Sequence, residues 1–189
     1  MRANASLALA GALCLFAAPA YAAVPNWTVD KAHSRLGFDT AYTGDKVSGT
    51  FGVWSAQIAF DPKNLAGSKA TVSVDLASAK TGDEDRDETL PTPDWFNAPK
   101  FPRATFTTTA IKAVGPDRYQ ATGVLNLKGV AKPVLLTFTL KIDGAHAVMT
   151  GQAVMDRSQW GIGQGQFQDE SAIPHAVTIN VNLAANRAG

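Results

Sequence analysis

The chain has 189 residues, of which 46% are hydrophobic and 8% aromatic, and its formal net charge is +1 at pH 7. Its lysine and arginine residues are scattered singly and form no basic stripe, which argues against a nucleic-acid-binding protein. The length is sufficient for one domain with its own hydrophobic core, and no internal repeat or linker indicates a second domain.

Residues 1–22 have the three parts of a secretory signal peptide. Arg2 supplies a short positive region, Leu7 to Ala18 is an apolar run too short to span a bilayer, and Ala20 to Ala22 is a small-x-small cleavage site. The only cysteine, Cys14, lies in this segment, so the predicted mature chain over 23–189 has no thiol. The sequence therefore predicts a protein exported to the periplasm and stabilised by its core without disulfides.

Most of the mature sequence alternates between apolar and polar side chains, which is the period of a β-strand with one buried face. In the first half of the chain, strands are predicted at Trp27–Asp30, Leu36–Tyr42, Val47–Phe60 and Ala70–Ala77. In the third strand, the apolar residues occupy odd-numbered positions up to Val53 and even-numbered positions after Trp54. An extra residue in a β-bulge shifts the alternation by one position, so a bulge is predicted there, beside Gly52.

The alternation breaks in an acidic stretch after the fourth strand. Thr81 and Glu84 have the spacing of a capping box, so a short helix is predicted over Asp83–Leu90. The next segment, Asp94–Pro102, is too rich in proline for regular structure. Residues 83–101 are predicted to form a lid or side wall across one end of the sheet, with apolar anchors at Trp95, Phe96 and Phe101.

The second half of the chain centres on a predicted hairpin over Ala121–Leu140. Gly129 supplies the backbone freedom of its turn, and Pro133 is predicted at a strand start, where the missing N–H is harmless. Alternation in the second arm predicts Phe138 on the buried face and Thr139 on the solvent face. Further strands are predicted at Arg103–Thr109, Ala147–Met155 and Val177–Leu183.

These segments amount to about eight antiparallel strands with one apolar face, interrupted by one helix. Such a sheet buries that face either by folding into a sandwich or by closing into a barrel, and closure also removes exposed edges. An eight-stranded barrel is wide enough to be filled by side chains or to hold one slender ligand. The periodicity predicts a single all-β domain and leaves both alternatives open.

Five groups of residues stand in a characteristic order along nearly the whole mature chain: Val29–Ser34; Val47–Phe51; Asp87 with Asp94–Phe96 and Phe101–Phe106; Gly123–Val134; and Arg157–Gly161. In this order and spacing they resemble the YceI-like family. The resemblance implies an antiparallel eight-stranded lipocalin-like barrel that holds a polyisoprenoid or isoprenoid-quinone lipid in its interior. It also implies a membrane b-type cytochrome or another quinone-using enzyme as a partner. The oligomeric state stays open, with a homodimer as one alternative.

The aromatic and aliphatic residues on the buried faces of the strands would by themselves indicate core packing. With the family resemblance, they are predicted to line a lipid-binding cavity and its mouth. The predicted lining residues are Leu36, Phe38, Phe51, Phe60, Val74, Leu76, Trp95, Phe96, Phe106, Leu125, Leu127, Leu136, Phe138, Leu140 and Trp160. We predict no catalytic residue, no metal ligand and no obligatory cofactor beyond the bound lipid.

An enzyme is the alternative function, acting on a small apolar substrate through His33 and an acidic partner such as Asp30 or Asp87. A buried histidine with structural hydrogen bonds is the simpler interpretation of His33, since no serine lies on a Gly-x-Ser-x-Gly elbow. The discriminating experiment is His33→Ala, which would abolish turnover by an enzyme and leave a lipid-binding module unaffected.

Two motifs resemble ligand sites only in part. Asp83, Asp85 and Asp87 have the spacing of the first calcium ligands of an EF-hand, but Glu88 stands where that loop requires glycine. A solvated, acidic helix start is the better interpretation. The glycine run over 161–165 neither follows a βαβ strand nor opens a helix, so it predicts a rim loop with close backbone contacts and not a dinucleotide site.

Overall fold

The computed structural model describes residues 23–189, and the predicted signal peptide lies outside the described residues. Within this range the strands are β1 (Asn26–Tyr42), β2 (Asp45–Phe51), β3 (Trp54–Ala59), β4 (Lys69–Asp75), β5 (Ala79–Lys80), β6 (Arg103–Gly115), β7 (Arg118–Leu127), β8 (Val130–Asp143), β9 (His146–Asp156) and β10 (Ala176–Arg187). The helix α1 spans Glu84–Thr89, and 3-10 turns span Leu65–Gly67, Leu76–Ser78, Arg157–Trp160 and Gly165–Phe167. No helix in this range is long and apolar enough to cross a membrane.

Eight of the described strands form a closed antiparallel barrel, in the order β1, β10, β9, β8, β7, β6, β4 and β3, with β3 pairing back to β1. β2 pairs with the second half of β1, and β5 pairs with the end of β2. Closure gives the barrel strands hydrogen-bonding neighbours on both sides and removes free edges. The prediction of an antiparallel eight-stranded barrel with a short helical insertion is therefore confirmed.

The hairpin of β7 and β8 shows how local alternation builds the barrel wall. Its turn consists of Lys128 and Gly129, both with positive φ (51° and 78°), as a two-residue hairpin turn requires. Phe138 is buried and Thr139 is exposed, as predicted. Pro133, however, lies inside β8 and not at its start. It pairs with Val124 of β7, and its missing N–H is tolerated because pairing of β8 with β9 begins only further along the strand.

Several element boundaries differ from the sequence prediction. The first two predicted strands form one strand, β1, whose register against β10 shifts between Asp30 and Arg35 and so absorbs extra residues. The third predicted strand is divided into β2 and β3 at the position of the predicted bulge. At this break, the N–H of Gly52 donates to the carbonyl of Ser78 at 3.1 Å. The fourth predicted strand ends at Asp75, because that side chain accepts from the N–H of Ala77 and caps a 3-10 turn.

Helix α1 forms as predicted, but its cap is a different residue. Asp83 is the N-cap and accepts from the N–H of Arg86 at 3.0 Å. Thr81 instead donates its N–H and its hydroxyl to one oxygen of Asp87, at 2.6 and 2.8 Å. The predicted capping box is therefore wrong, because aspartate is a strong competing N-cap and occupies the position next to the helix. The bonds from Thr81, together with nearby Lys80, lower the pKa of Asp87.

The two ends of the barrel are packed differently. One end, the mouth end, carries the β1–β2 hairpin, α1, residues 91–102 and the loop over 161–175, and is packed by Phe38, Leu76, Ala79, Leu90, Phe96, Ala98, Ala104, Leu127, Met155, Trp160 and Ile162. The other end, the base, carries the β6–β7 and β8–β9 turns and is packed by Trp27, Phe60, Tyr119, Ala121, Phe138, Leu140, Ala147 and Ala185. The space between these two clusters is the barrel interior.

Candidate ligand-binding cavity

The barrel interior contains a cavity of about 720 Å³. This volume lies within the range of about 300–1,000 Å³ that is typical of small-molecule sites. Its wall consists of the inward-facing side chains of the barrel strands, most of them aliphatic or aromatic. Alternation along each strand produces this wall directly, because every second side chain points inward.

All the predicted lining residues except Trp160 border this cavity. They are Leu36, Phe38, Phe51, Phe60, Val74, Leu76, Trp95, Phe96, Phe106, Leu125, Leu127, Leu136, Phe138 and Leu140. Trp160 is buried in the cluster at the mouth end, where its Nε1–H donates to the carbonyl of Leu125 at 3.4 Å. Trp160 therefore supports the wall from behind. Contact between the lining residues and a ligand stays a prediction.

Aromatic residues close the base of the cavity. Tyr119 packs edge-on against Phe60 at a centroid distance of 5.4 Å and stacks on Phe138 at 5.3 Å. The Nε1–H of Trp27 donates to the carbonyl of Phe60 at 3.0 Å and fixes the far side of this cluster. Burial, with a smaller effect of Asp117, raises the pKa of the Tyr119 hydroxyl. Trp27 and Tyr119 were not predicted at the site, although each occupies an inward position of its strand.

The predicted lid lies across the mouth end, where Trp95 and Phe96 border the cavity. The ring of Trp95 packs against Phe167 at a centroid distance of 5.5 Å. The carbonyl of Asp94 accepts from the N–H groups of Gly163 and Gln164, at 2.8 and 3.0 Å. These contacts join residues 91–102 to the loop over 161–175, so the two segments form one continuous cover.

Arg157 organises the loop that completes this cover, a role that the sequence did not predict although Arg157 belongs to one of the groups that resemble the YceI-like family. Its side chain is only 2% exposed, and its guanidinium donates to backbone carbonyls at 2.7–3.1 Å. The acceptors are Ile162, Gly163, Phe167, Asp169, Ile173 and Pro174. Burial lowers the pKa of Arg157, and the nearby acidic groups Asp156, Glu170 and Asp169 oppose that shift.

The predicted close backbone contact in the glycine run is present at Gly163. This residue has a φ of 73°, and a Cβ there would collide with the guanidinium of Arg157. Lys128 holds the same loop from the hairpin side, since its Nζ donates to the carbonyl of Gly161 at 2.6 Å. Burial lowers the pKa of Lys128, and nearby Asp94 opposes that effect.

Polar lining residues concentrate at the mouth. Tyr42, Asp85 and Gln166 are exposed and border the cavity at this end, which marks the opening between the β1–β2 hairpin, α1 and the loop over 161–175. Arg86 also lines the mouth and lies 3.5 Å from a carboxylate oxygen of Asp83. The cavity is therefore apolar in depth and polar at its opening.

His33 lies outside the cavity, contrary to the interpretation of this residue as a buried histidine. Its side chain is 76% exposed, and its Nδ1 lies 2.7 Å from Asp30, whose pKa this bond lowers. The cause is the register shift of β1, which places this stretch at the surface of the barrel. Asp87, the other predicted partner, bonds to Thr81 instead. Among residues 23–189, no three His, Cys, Asp or Glu side chains form a group that could hold a metal ion.

The family model of the YceI-like domain matches residues 27–185. The chain belongs to the YceI-like family. A UPF0312 protein of Photorhabdus laumondii is 38% identical over 136 residues, covering 71% of this chain and 70% of that protein. Protein YceI of Escherichia coli O157:H7 is 33% identical over 155 residues, covering 80% and 74%.

Solved structures of the YceI-like fold resemble this barrel closely. The crystal structure of Burkholderia cenocepacia BcnA superposes with a TM-score of 0.81 at 33% identity, covering 84% of this chain and all of that one. A polyisoprenoid binding domain from Saccharophagus degradans, implicated in plant cell wall breakdown, superposes with a TM-score of 0.67 over 86% of this chain and 98% of that one. Its sequence identity is 18%, so this second similarity is one of fold.

Proposed function

We propose that this YceI-like protein binds a polyisoprenoid or isoprenoid-quinone lipid inside its barrel, without catalysing a reaction, and carries or stores that lipid in the cell envelope. The observation that supports this most directly is the cavity of about 720 Å³, apolar in depth and open at a polar mouth. Such a shape suits a long apolar chain with a polar head. The shared fold with the polyisoprenoid binding domain of Saccharophagus degradans supports the same class of ligand.

Apolar contacts alone are sufficient for tight binding of such a chain. Burying a methylene group contributes about 0.8 kcal/mol before the cost of ordering the chain. For a chain of about forty carbons, a practical limit of about 0.3 kcal/mol per heavy atom gives about 12 kcal/mol. Affinity should therefore rise with prenyl length until the cavity is filled.

Two sequence features support the proposed location. Residues 1–22 have the pattern of a secretory signal peptide, and the rest of the chain has no cysteine, so oxidation of a thiol would not affect a periplasmic protein of this kind.

A membrane b-type cytochrome or another quinone-using enzyme is the partner that we propose. The enzyme alternative is not favoured by any observation, because His33 lies outside the cavity.

Mass spectrometry of the organic extract from natively purified protein tests the proposal. We expect prenyl lipid in the extract of the wild type and none from Phe138→Asp, because a charge in the apolar wall must be desolvated or must admit water. The matched control is Thr139→Asp, which places the same charge on the exposed face of the same strand. A lipid-free wild type, or equal lipid in the two folded variants, would contradict the proposal.

A further inference from the structure

The wall of the barrel is incomplete between β1 and β3. Within the described residues, these two strands pair only at Asn26 with Ala59 and at Trp27 with Ile58, whereas β9 and β10 share eleven pairs. Beyond this short seam β1 stays paired with β10, and β3 stays paired with β4 as far as Trp54. The two strands therefore diverge, and a crevice of about 460 Å³ lies between them.

The backbone groups that border the crevice are directed into it. The N–H of Phe60 donates to the carbonyl of Pro25 at 3.0 Å, which fixes the alternation of the ladder between the two strands. By that alternation, the N–H and C=O groups of Ala56 point from β3 toward β1, and those of Val29 point back toward β3. Because the pairing of these strands ends at Ile58, the crevice has two facing strand edges without ladder partners.

Lys31 occupies the place where a further ladder bond would form. In continued register it stands opposite Trp54, and its Nζ donates to the carbonyl of that residue. The same ammonium lies 3.1 Å from the centroid of the indole ring, and burial lowers the pKa of Lys31. Lys31 is the charged residue among those that line the crevice, since the carboxylate of Asp30 bonds to the N–H of Ala32 and to His33. A movable side chain thus takes the place of a strand.

The side chains around the crevice suit an extended segment with two different faces. Thr28, Ser55 and Gln57 are exposed and polar, whereas Val29 and Ala56 are apolar and half-buried. Successive side chains of a strand point to opposite faces. A segment that alternates between apolar and polar residues would therefore place its apolar side chains inward and its polar side chains toward solvent.

We propose that the crevice is a docking site for an extended segment of another protein, which adds to the edge of β3 as a strand and carries an acidic side chain opposite Lys31. Main-chain hydrogen bonds supply the affinity in this mode of binding. The carboxylate draws the ammonium away from the carbonyl of Trp54, which then accepts from an N–H of the segment. This interaction goes beyond lipid binding. The crevice lining includes no residue of α1 or of the loop over 161–175, so a docked protein leaves the mouth free.

Fluorescence anisotropy with three labelled seven-residue peptides tests the inference. The first alternates valine and threonine around a central glutamate, the second has lysine in place of that glutamate, and the third is the first peptide with N-methylated backbone amides. We expect the wild type to bind the glutamate peptide about fivefold more tightly than the lysine peptide, as an exposed ion pair allows. The N-methylated peptide should bind about tenfold more weakly than the first, because it cannot donate to the strand edge.

Reversing the charge in the crevice should reverse the preference between the peptides. In Lys31→Glu the lysine peptide should bind more tightly than the glutamate peptide, and Lys31→Ala should bind both about equally. Lys141→Glu is the matched control, because Lys141 is exposed on β8 across the barrel, and it should keep the wild-type preference. Amide exchange at Trp54 and Ala56 should slow when the glutamate peptide is added.

Three results would overturn the docking site, and none of them depends on whether lipid binds. They are no binding of the glutamate peptide at about 1 mM, equal binding of the N-methylated peptide, and a preference that both Lys31 variants leave unchanged. In the first case Lys31 would only protect a strand edge from non-specific pairing. A lipid-free protein that still binds the glutamate peptide would refute the proposed function and leave the docking site in place.

Discussion

Replacing Arg157 with lysine tests whether one buried side chain holds the mouth end together. Three of its six carbonyl acceptors belong to the buried residues Ile162, Gly163 and Ile173. A lysine offers three donors from a single nitrogen and cannot reach acceptors spread around a planar guanidinium. Each buried carbonyl that loses its partner costs about 1–3 kcal/mol. At the lower value, the three acceptors together give a destabilisation of about 3 kcal/mol.

Urea unfolding at pH 7 measures this loss directly. The free energy of unfolding of a typical domain is about 5–15 kcal/mol. A decrease of about 3 kcal/mol would therefore be a large part of the stability of this protein. Amide exchange should also become faster over 161–175 and stay unchanged at the base. Arg118→Lys is the matched control, because Arg118 is exposed on β7. If Arg157→Lys lowered the unfolding free energy by less than about 0.5 kcal/mol, as surface changes do, the role assigned to Arg157 would be wrong.

Three further predictions concern the wall, the cover and the acidic helix. Phe138→Ala should weaken binding of a fluorescent prenyl probe several-fold through lost contacts, while Thr139→Ala should leave it unchanged; equal effects would contradict the alternation of faces. Amide exchange over 83–101 should slow when lipid is added, and unchanged exchange would refute a lid. The pKa of Asp87 is lower in the folded state than its ordinary value of 3.8, so its stabilising effect is present above that value and is lost as pH falls through the folded pKa. Asp87→Asn should therefore lower the melting temperature at pH 7, with the difference from wild type shrinking below about pH 4, and a difference that does not depend on pH would contradict this.

The side chains of the wall were predictable because strand periodicity is a local property of the sequence. Phe138 and Thr139 are neighbours in the chain, and alternation alone assigns them to opposite faces. The same rule places Thr40, which borders the cavity, in the inward-facing series of Leu36 and Phe38. It was missed because the prediction collected apolar residues only, so a polar residue in an apolar series was not treated as a signal.

Features that depend on distant parts of the chain were not predictable in this way. Arg157 bonds to backbone carbonyls, which every residue carries, so its sequence context contains no sign of its partners. Trp160 follows β9 closely, but a 3-10 turn begins at Arg157 and changes the direction of the side chain away from the cavity. His33 falls within a register shift of β1, where the alternation that predicts burial no longer applies.

The aromatic cluster at the base makes the two ends of the barrel different. Tyr119 stacks on Phe138 and packs edge-on against Phe60 at that end, so a bound lipid would enter and leave through the mouth. A chain that enters with its tail first must leave with its head first. A donor and an acceptor would then have to dock at the same surface in turn, and cannot do so together at opposite ends. If the barrel carries a lipid as proposed, it would act as a shuttle that exchanges partners and not as a conduit between two of them.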